Sequence, residues 1–160
     1  MIKYTQHSGV YTLKTVHEMP ISLSEAWHFF SNPANLPLIT PPQMQFVITS
    51  ANDATNIFAG QIITYKVTPI ANIRTNWVTE ITQVKEKQYF IDEQRFGPYA
   101  MWHHIHRFEE TSSGVKMTDE ITYKVPGWFI GHIVNSLVIK SKLLALFEYR
   151  RKKLNEMFCS

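Results

Sequence analysis

Three stretches in the second half of the chain place acidic and imidazole side chains where strand alternation brings them to a common face. In FIDEQRFGPYAMWHHIHRFEE (residues 90–110), alternation groups Phe90, Asp92 and Gln94 on one side, and Trp102, His104, His106 and Phe108 on one side of the strand that follows. In the next strand Met117, Asp119, Ile121, Tyr123 and Val125 share a face. The large apolar members mark these faces as interior, which puts Asp92, Gln94, His104, His106, Asp119 and Tyr123 inside. Glu93, Arg95, His103, Arg107, Glu109, Glu120 and Lys124 then form a solvent face. A bulge at Gly97-Pro98 would shift the strand after it by one residue and invert this sorting.

Carboxylates and imidazoles cannot sit unpaired in an apolar interior, because an uncompensated buried charge costs several kcal/mol. Four readings follow and stay open. The groups read as a buried Asp-His network that fixes strand register, or as a ligand site in which Tyr123, Gln94 or a histidine bonds the polar end of an apolar guest. His104-x-His106 with Asp92 or Asp119 as a third, hard ligand has the makings of a metal site. Asp92, His104, His106 and Asp119 are also the acid-base candidates, since an Asp-His pair in a low-dielectric pocket can be tuned toward neutral pH. No second cluster of ligands accompanies them, so neither a metal nor another cofactor is expected, and no catalytic set is assigned. The expected ligand-binding residues are the six polar ones together with the aromatics Trp77, Tyr99 and Trp102.

Other familiar chemistry is missing from the sequence. There is no GxGxxG, P-loop, GxSxG or HExxH, and the six glycines do not cluster into a phosphate cradle. Cys159 is the single cysteine, which excludes an intramolecular disulfide and a CxxC site and fits a reducing cytoplasm. No run approaches the roughly 18 apolar residues of a membrane span, and the first residues show no apolar export signal. The expectation is therefore a cytoplasmic protein. Net charge is +3, and all of the excess lies at the end: residues 129–160 hold 6 Lys/Arg against 2 Asp/Glu, the rest 10 against 11.

The elements that must position these groups read as follows. At 160 residues the chain fits one domain, 1–160. Period-2 alternation predicts seven mostly antiparallel strands, at about 10–18, 44–50, 60–68, 73–84, 88–95, 99–109 and 115–125. Ser22 or Ser24 can cap a helix over SEAWHFF, Asn32-Pro33 ends it and starts a short turn through Leu38, and Pro41-Pro42 leads into the sheet. From about Phe129 the period changes to 3.6, and Ile130, Val134, Leu137, Leu144, Phe147, Leu154 and Phe158 predict a long C-terminal helix with an apolar stripe. Lys140, Lys142, Arg150, Lys152 and Lys153 fall on its outer side. No stacking platform accompanies them, so a solvated face is expected and no nucleic-acid partner.

The phrases PISLSEAWHFFSNPANLPLITPP, GQIITYKV, NWVTEITQV, YFIDEQRFGPYAMWHHIHRF, MTDEITYKVPGW and LFEYRRKKL resemble a bacterial ligand-binding branch of the START/Bet v 1-like (SRPBCC) superfamily, polyketide cyclase/dehydrase-like and also found fused to epimerase-like domains. The resemblance runs from about Tyr11 to Phe158. It implies an α+β helix-grip fold, with a curved antiparallel sheet around the C-terminal helix and a cavity between them. It implies binding of a small hydrophobic or amphipathic molecule, by a carrier or sensor, with a cyclase, dehydratase or hydrolase-like enzyme as the alternative. Trp27, Phe30, Phe46, Tyr65, Trp77, Tyr99, Trp102, Tyr123 and Phe147 are its candidate walls. The short helices and the loops at Pro41-Pro42 and Gly97-Pro98-Tyr99 would rim the mouth.

Overall fold

Ser8 and Gly9 both take positive φ, 50° and 77°, as the two central residues of a tight hairpin turn do. They fold Ile2–His7 (β1) back along Val10–Met19 (β2), Ile2 facing Thr15 and His7 facing Val10. The computed structural model describes residues 2–50, 55–70, 73–127 and 138–159. The remaining strands are Val47–Ile48 (β3), Ile62–Ile70 (β4), Ile73–Lys85 (β5), Tyr89–Phe96 (β6), Met101–Thr111 (β7) and Gly114–Lys124 (β8). All neighbours are antiparallel in one sheet of order β1-β2-β8-β7-β6-β5-β4-β3.

This is an α+β architecture of eight strands where alternation predicts seven. The added one is β1, whose faces differ little in polarity: four of its six residues are exposed, so its pattern is weak. The strand expected at 44–50 contracts to two residues, because Pro42–Met44 forms a 3-10 turn that consumes its start. Register shifts fall in the β5–β6 pairing, at Val78/Thr79 and Ile81/Gln83, and none lies in β7. The interior face of β7 is therefore the expected one, Trp102, His104, His106 and Phe108, all buried.

Ser22 caps the first helix, Leu23–Phe30 (α1), its Oγ accepting from Glu25 N at 3.1 Å. Asn32 caps a 3-10 turn over Pro33–Ile39 in the same way, accepting from Ala34 N at 3.0 Å. Lys140–Phe158 forms the C-terminal helix (α2); the expected first part of it, 129–137, with Ile130, Val134 and Leu137, lies outside the described residues. Its buried residues are Leu143, Phe147, Arg150 and Leu154, spaced 4, 3 and 4 apart as one helix face requires. Arg150 is thus on the core face and not on the outer one expected for it. Leu144 is only partly buried.

Two apolar clusters form the core. One gathers Tyr11, Leu13, Trp77, Trp102, Tyr123 and Phe147; the other Met19, Trp27, Ile63, Phe90, Phe108 and Leu154. The outer face of the sheet carries ion pairs such as Arg95 to Glu80 (2.5 Å), His103 to Glu93 (2.8 Å) and Lys14 to Glu120 (3.3 Å). Exposed pairs of this kind contribute only a few tenths of a kcal/mol to about 1 kcal/mol each.

Gly114 turns β7 into β8 at φ 139°, and a Cβ there would run into the Met19 carbonyl oxygen and the Pro20 backbone. Gly114→Ala is expected to lower unfolding free energy by about 1–3 kcal/mol, read from urea denaturation at constant m-value. A loss under about 0.5 kcal/mol, the range of neutral surface changes, would contradict this crowding.

Candidate functional site

The register of three adjacent strands builds a closed box of four side chains. Asp92 on β6 lies opposite His104 on β7, and His106 on β7 opposite Asp119 on β8. Directly opposite partners approach at 3.4 Å (His104 Nδ1 to Asp92 Oδ2) and 2.7 Å (His106 Nδ1 to Asp119 Oδ1), the latter without a hydrogen bond. The diagonal partners bond properly. His104 Nε2 donates to Asp119 Oδ1 at 3.1 Å, and His106 Nε2 to Asp92 Oδ2 at 2.9 Å. Carboxylates only accept, so these two nitrogens carry hydrogens. The imidazoles lie against each other, centroids 3.8 Å apart, and the Phe90 ring stacks on His106 at 4.1 Å.

Burial works to make every member of the box neutral, and the neighbours decide which ones resist it. For Asp119 burial raises the pKa, but the contacts with His104 and His106 hold it far below the usual carboxylate range. Burial likewise raises Asp92, while the charge of His104, the His106 bond and the Arg150 charge bring it below its ordinary value. In His106 burial opposes the charge, yet its contacts with Asp119 and Asp92 raise the pKa. His104 goes the other way: burial and the adjacent His106 charge lower it. One imidazolium, one neutral imidazole and two carboxylates are the charge states this environment favours.

Beside the box, between the sheet and α2, lies a cavity of ≈180 Å³. Its walls draw on both core clusters, Val67, Trp77, Trp102, Ile121 and Leu143 from one and Ile39, Ile57, Ile63, Ile81 and Phe90 from the other, so it opens where the clusters do not meet. Partly exposed lining residues come from α1 and the two turns, including Phe29, Phe30, Leu36 and Met44, which places the mouth there. The 97–99 loop, expected at the rim, takes no part.

Of the residues singled out from sequence, Trp77, Asp92, Trp102, His104 and His106 line the cavity, as do the wall candidates Phe30, Phe46 and Tyr65. Asp119 stands behind the imidazoles and orients both, outside the lining. Gln94 is turned to its own loop, donating from Nε2 to Tyr99 O at 2.7 Å and accepting from Tyr99 N at 3.2 Å. Tyr99 and Tyr123 pack ring to ring at 5.7 Å, with Tyr123 fully buried and 3.4 Å from the Tyr4 hydroxyl, and neither reaches the cavity. Trp27 and Phe147 also lie outside its lining. Five polar wall residues escape the sequence reading; Asn32, Asn35 and Thr40 lie at the mouth, and two lie deeper. Thr79 Oγ1 accepts from Trp77 Nε1 at 3.1 Å and bonds the Tyr65 hydroxyl at 2.7 Å; a threonine in alternating register carries no signal of that kind. Arg150 is the other, and the 143-147-150-154 spacing on α2 is the signal that locates it.

Asp92, His104 and His106 also bring ligand atoms within 4.8 Å of one another, the makings of a two-histidine, one-carboxylate metal set with Asp119 as the outer carboxylate. Holding a cation there requires His106 to give up the Nε2 hydrogen it donates to Asp92, and it places the cation near the Arg150 charge. The geometry is better satisfied as an ion-pair network.

The box makes stability depend on pH with a definite sign. His106 is raised above 6.5, so its contribution is complete below about pH 6.5 and is lost as pH climbs through its folded value. Asp92 and Asp119 lie below 3.8, so theirs is complete above about pH 4 and is lost as pH falls through their folded values. His106→Gln should cost about 3–5 kcal/mol near pH 6 by leaving buried carboxylates short of a counter-charge, and the deficit should narrow toward pH 9. Denaturant unfolding across that range checks it; a deficit independent of pH would rule out the charged imidazole.

No family model matches the chain, and no curated protein sequence matches it. Solved structures do. Protein Ms6760 of Mycobacterium smegmatis superposes with a TM-score of 0.66 at 15% identity, covering 98% of both chains. Protein CV1439 of Chromobacterium violaceum gives 0.68 at 10% identity, with 92% of this chain and 96% of that one covered. Ara h 8.0201, a Bet v 1-like allergen, gives 0.58 at 14% identity over 92% of this chain and 99% of that one. The eight-stranded open sheet with its C-terminal helix is accordingly a Bet v 1-like fold of helix-grip type, and among the described residues no helix is long and apolar enough to cross a membrane.

Proposed function

We propose that this domain binds a small, compact, largely apolar molecule in the cavity between the sheet and α2, acting as a carrier or sensor. The observation that carries the reading is the cavity itself: ≈180 Å³ walled mainly by aliphatic and aromatic side chains, with a few polar groups among them. An apolar cavity of about 150 Å³ suffices for benzene in another protein, so the guest has on the order of ten non-hydrogen atoms. That size favours a ring or a branched chain over a long lipid tail. The Bet v 1-like fold supports ligand binding in general and does not specify the guest.

Acid-base catalysis by Asp92, His104, His106 and Asp119 is the second reading, favoured by the position of three of them on the cavity wall. Against it, every ring nitrogen of the two histidines lies 2.7–3.4 Å from a carboxylate oxygen, so the bare Nδ1 of His104 is turned toward Asp92 and not toward the guest. Catalysis would appear as turnover of a bound guest that His106→Gln abolishes without abolishing binding.

Val67 is a buried wall residue, and Val67→Phe directs a ring into the space. Titration with single-ring aromatic probes should show uptake by the wild type and at least about tenfold weaker uptake by Val67→Phe, with the far-UV circular dichroism of the two proteins alike. A wild-type protein that takes up none of the probes, or a variant that binds them equally well, contradicts the proposed cavity function.

A further inference from the structure

Arg150 holds a core position on α2 and is 8% exposed. Its Nε is shielded from solvent and has no hydrogen-bond partner, and among the described residues no carboxylate makes an ion pair with its guanidinium. The guanidinium carbon lies 5.1 Å from the centroid of the Phe147 ring, a contact that supports its plane but accepts none of its hydrogens. Guanidinium has five N–H donors in a rigid fork and keeps its charge in any protein environment. Burying such a group without an acceptor is costly, and Leu or Met would pack the same helix face at no such cost.

The nearby anion is already committed. Asp92 influences Arg150 only through space, since its Oδ2 is engaged at 2.9 Å and 3.4 Å by the two imidazoles. On the cavity wall there are therefore a carboxylate bonded to a histidine and a guanidinium whose shielded Nε has no acceptor among the described residues. Arg150 also borders a smaller recess of ≈50 Å³, where His17 Nε2 is likewise shielded and without a partner. Two of the shielded, unpartnered polar atoms among the described residues, Arg150 Nε and His17 Nε2, thus border the same recess.

We infer that Arg150 is an anion-binding residue of the cavity, and that the guest is a compact apolar acid whose carboxylate lies against the guanidinium while its ring or branched chain fills the apolar space. The inference rests on the cavity being a binding site and adds the chemical class of what binds. A carboxylate fits better than a phosphate. It is planar and singly charged, it pairs edge to edge with one guanidinium, and it needs no further cations, whereas a doubly charged phosphate in so apolar a site would require more donors than this wall supplies.

Isothermal titration of the full chain at pH 7 with 3-phenylpropanoate and with 3-phenylpropanol, guests matched in shape and differing in charge, tests it. The wild type should bind the acid at least about tenfold more tightly than the alcohol, the gain of a charge-assisted bidentate pair. Arg150→Met should erase that preference and Arg150→Lys should retain part of it. Equal affinity of the wild type for both guests overturns the inference and leaves the binding function standing. Failure to bind either guest overturns both. A preference for the acid that persists in Arg150→Met places the anion elsewhere and also overturns it. The wild-type comparison needs no variant, so the test survives even if Arg150→Met does not fold.

Discussion

Two imidazoles held between two carboxylates across three neighbouring strands are the constraint on which the rest of this interior depends. Each histidine on β7 faces one aspartate directly and reaches the other diagonally, so a one-residue slip of β6 or of β8 would break two of the four contacts together and turn that strand's aspartate to the opposite face. An apolar sheet face would tolerate such a slip more easily. The box thus specifies register, and it does so at the place where the two core clusters separate and the cavity begins.

Pairing has a second consequence, because it decides which polar groups remain available to a guest. Asp92 lines the cavity but is engaged by both imidazoles, and the Thr79 hydroxyl is engaged by Trp77 and Tyr65. Arg150, brought in by α2 from the other side, offsets the one negative charge that the box leaves over, and its shielded Nε has no acceptor among the described residues. The polar wall is therefore close to neutral as a whole, and what it offers an anion is an unpaired N–H donor on a guanidinium that the helix, not the sheet, supplies.

Much of this was legible in the sequence, for a physical reason. A strand exposes its faces with an unambiguous period of 2, and Trp102, His104, His106 and Phe108 could be sorted inward because two large apolar residues flank the histidines; the same logic found Asp92 and Asp119. The reading failed where a side chain turned back on its own backbone, as Gln94 does toward Tyr99, since alternation assigns a face and not a partner. It failed at β1, where polar residues on both faces of an edge strand blur the pattern. On the helix, charge was taken as a mark of the solvent side, and Arg150 was sorted with Lys152 and Lys153. Spacing is the stronger criterion there: Leu143, Phe147 and Leu154 leave position 150 on the core face whatever residue occupies it.

The fold by itself assigns no chemistry, and solved structures of the same shape at 10–15% identity do not say what this cavity holds. What distinguishes this chain is the charge distribution of its interior, in which burial lowers the pKa of His104 while contacts with Asp119 and Asp92 raise that of its neighbour His106. Long-range proton–nitrogen correlation spectra of the histidine rings at pH 7 test that most directly. The account predicts that both nitrogens of His106 resonate as imidazolium, while His104 shows one protonated nitrogen, Nε2, and one bare nitrogen, Nδ1. Two rings that titrate together near the ordinary histidine value, as solvent-exposed imidazoles do, would contradict it.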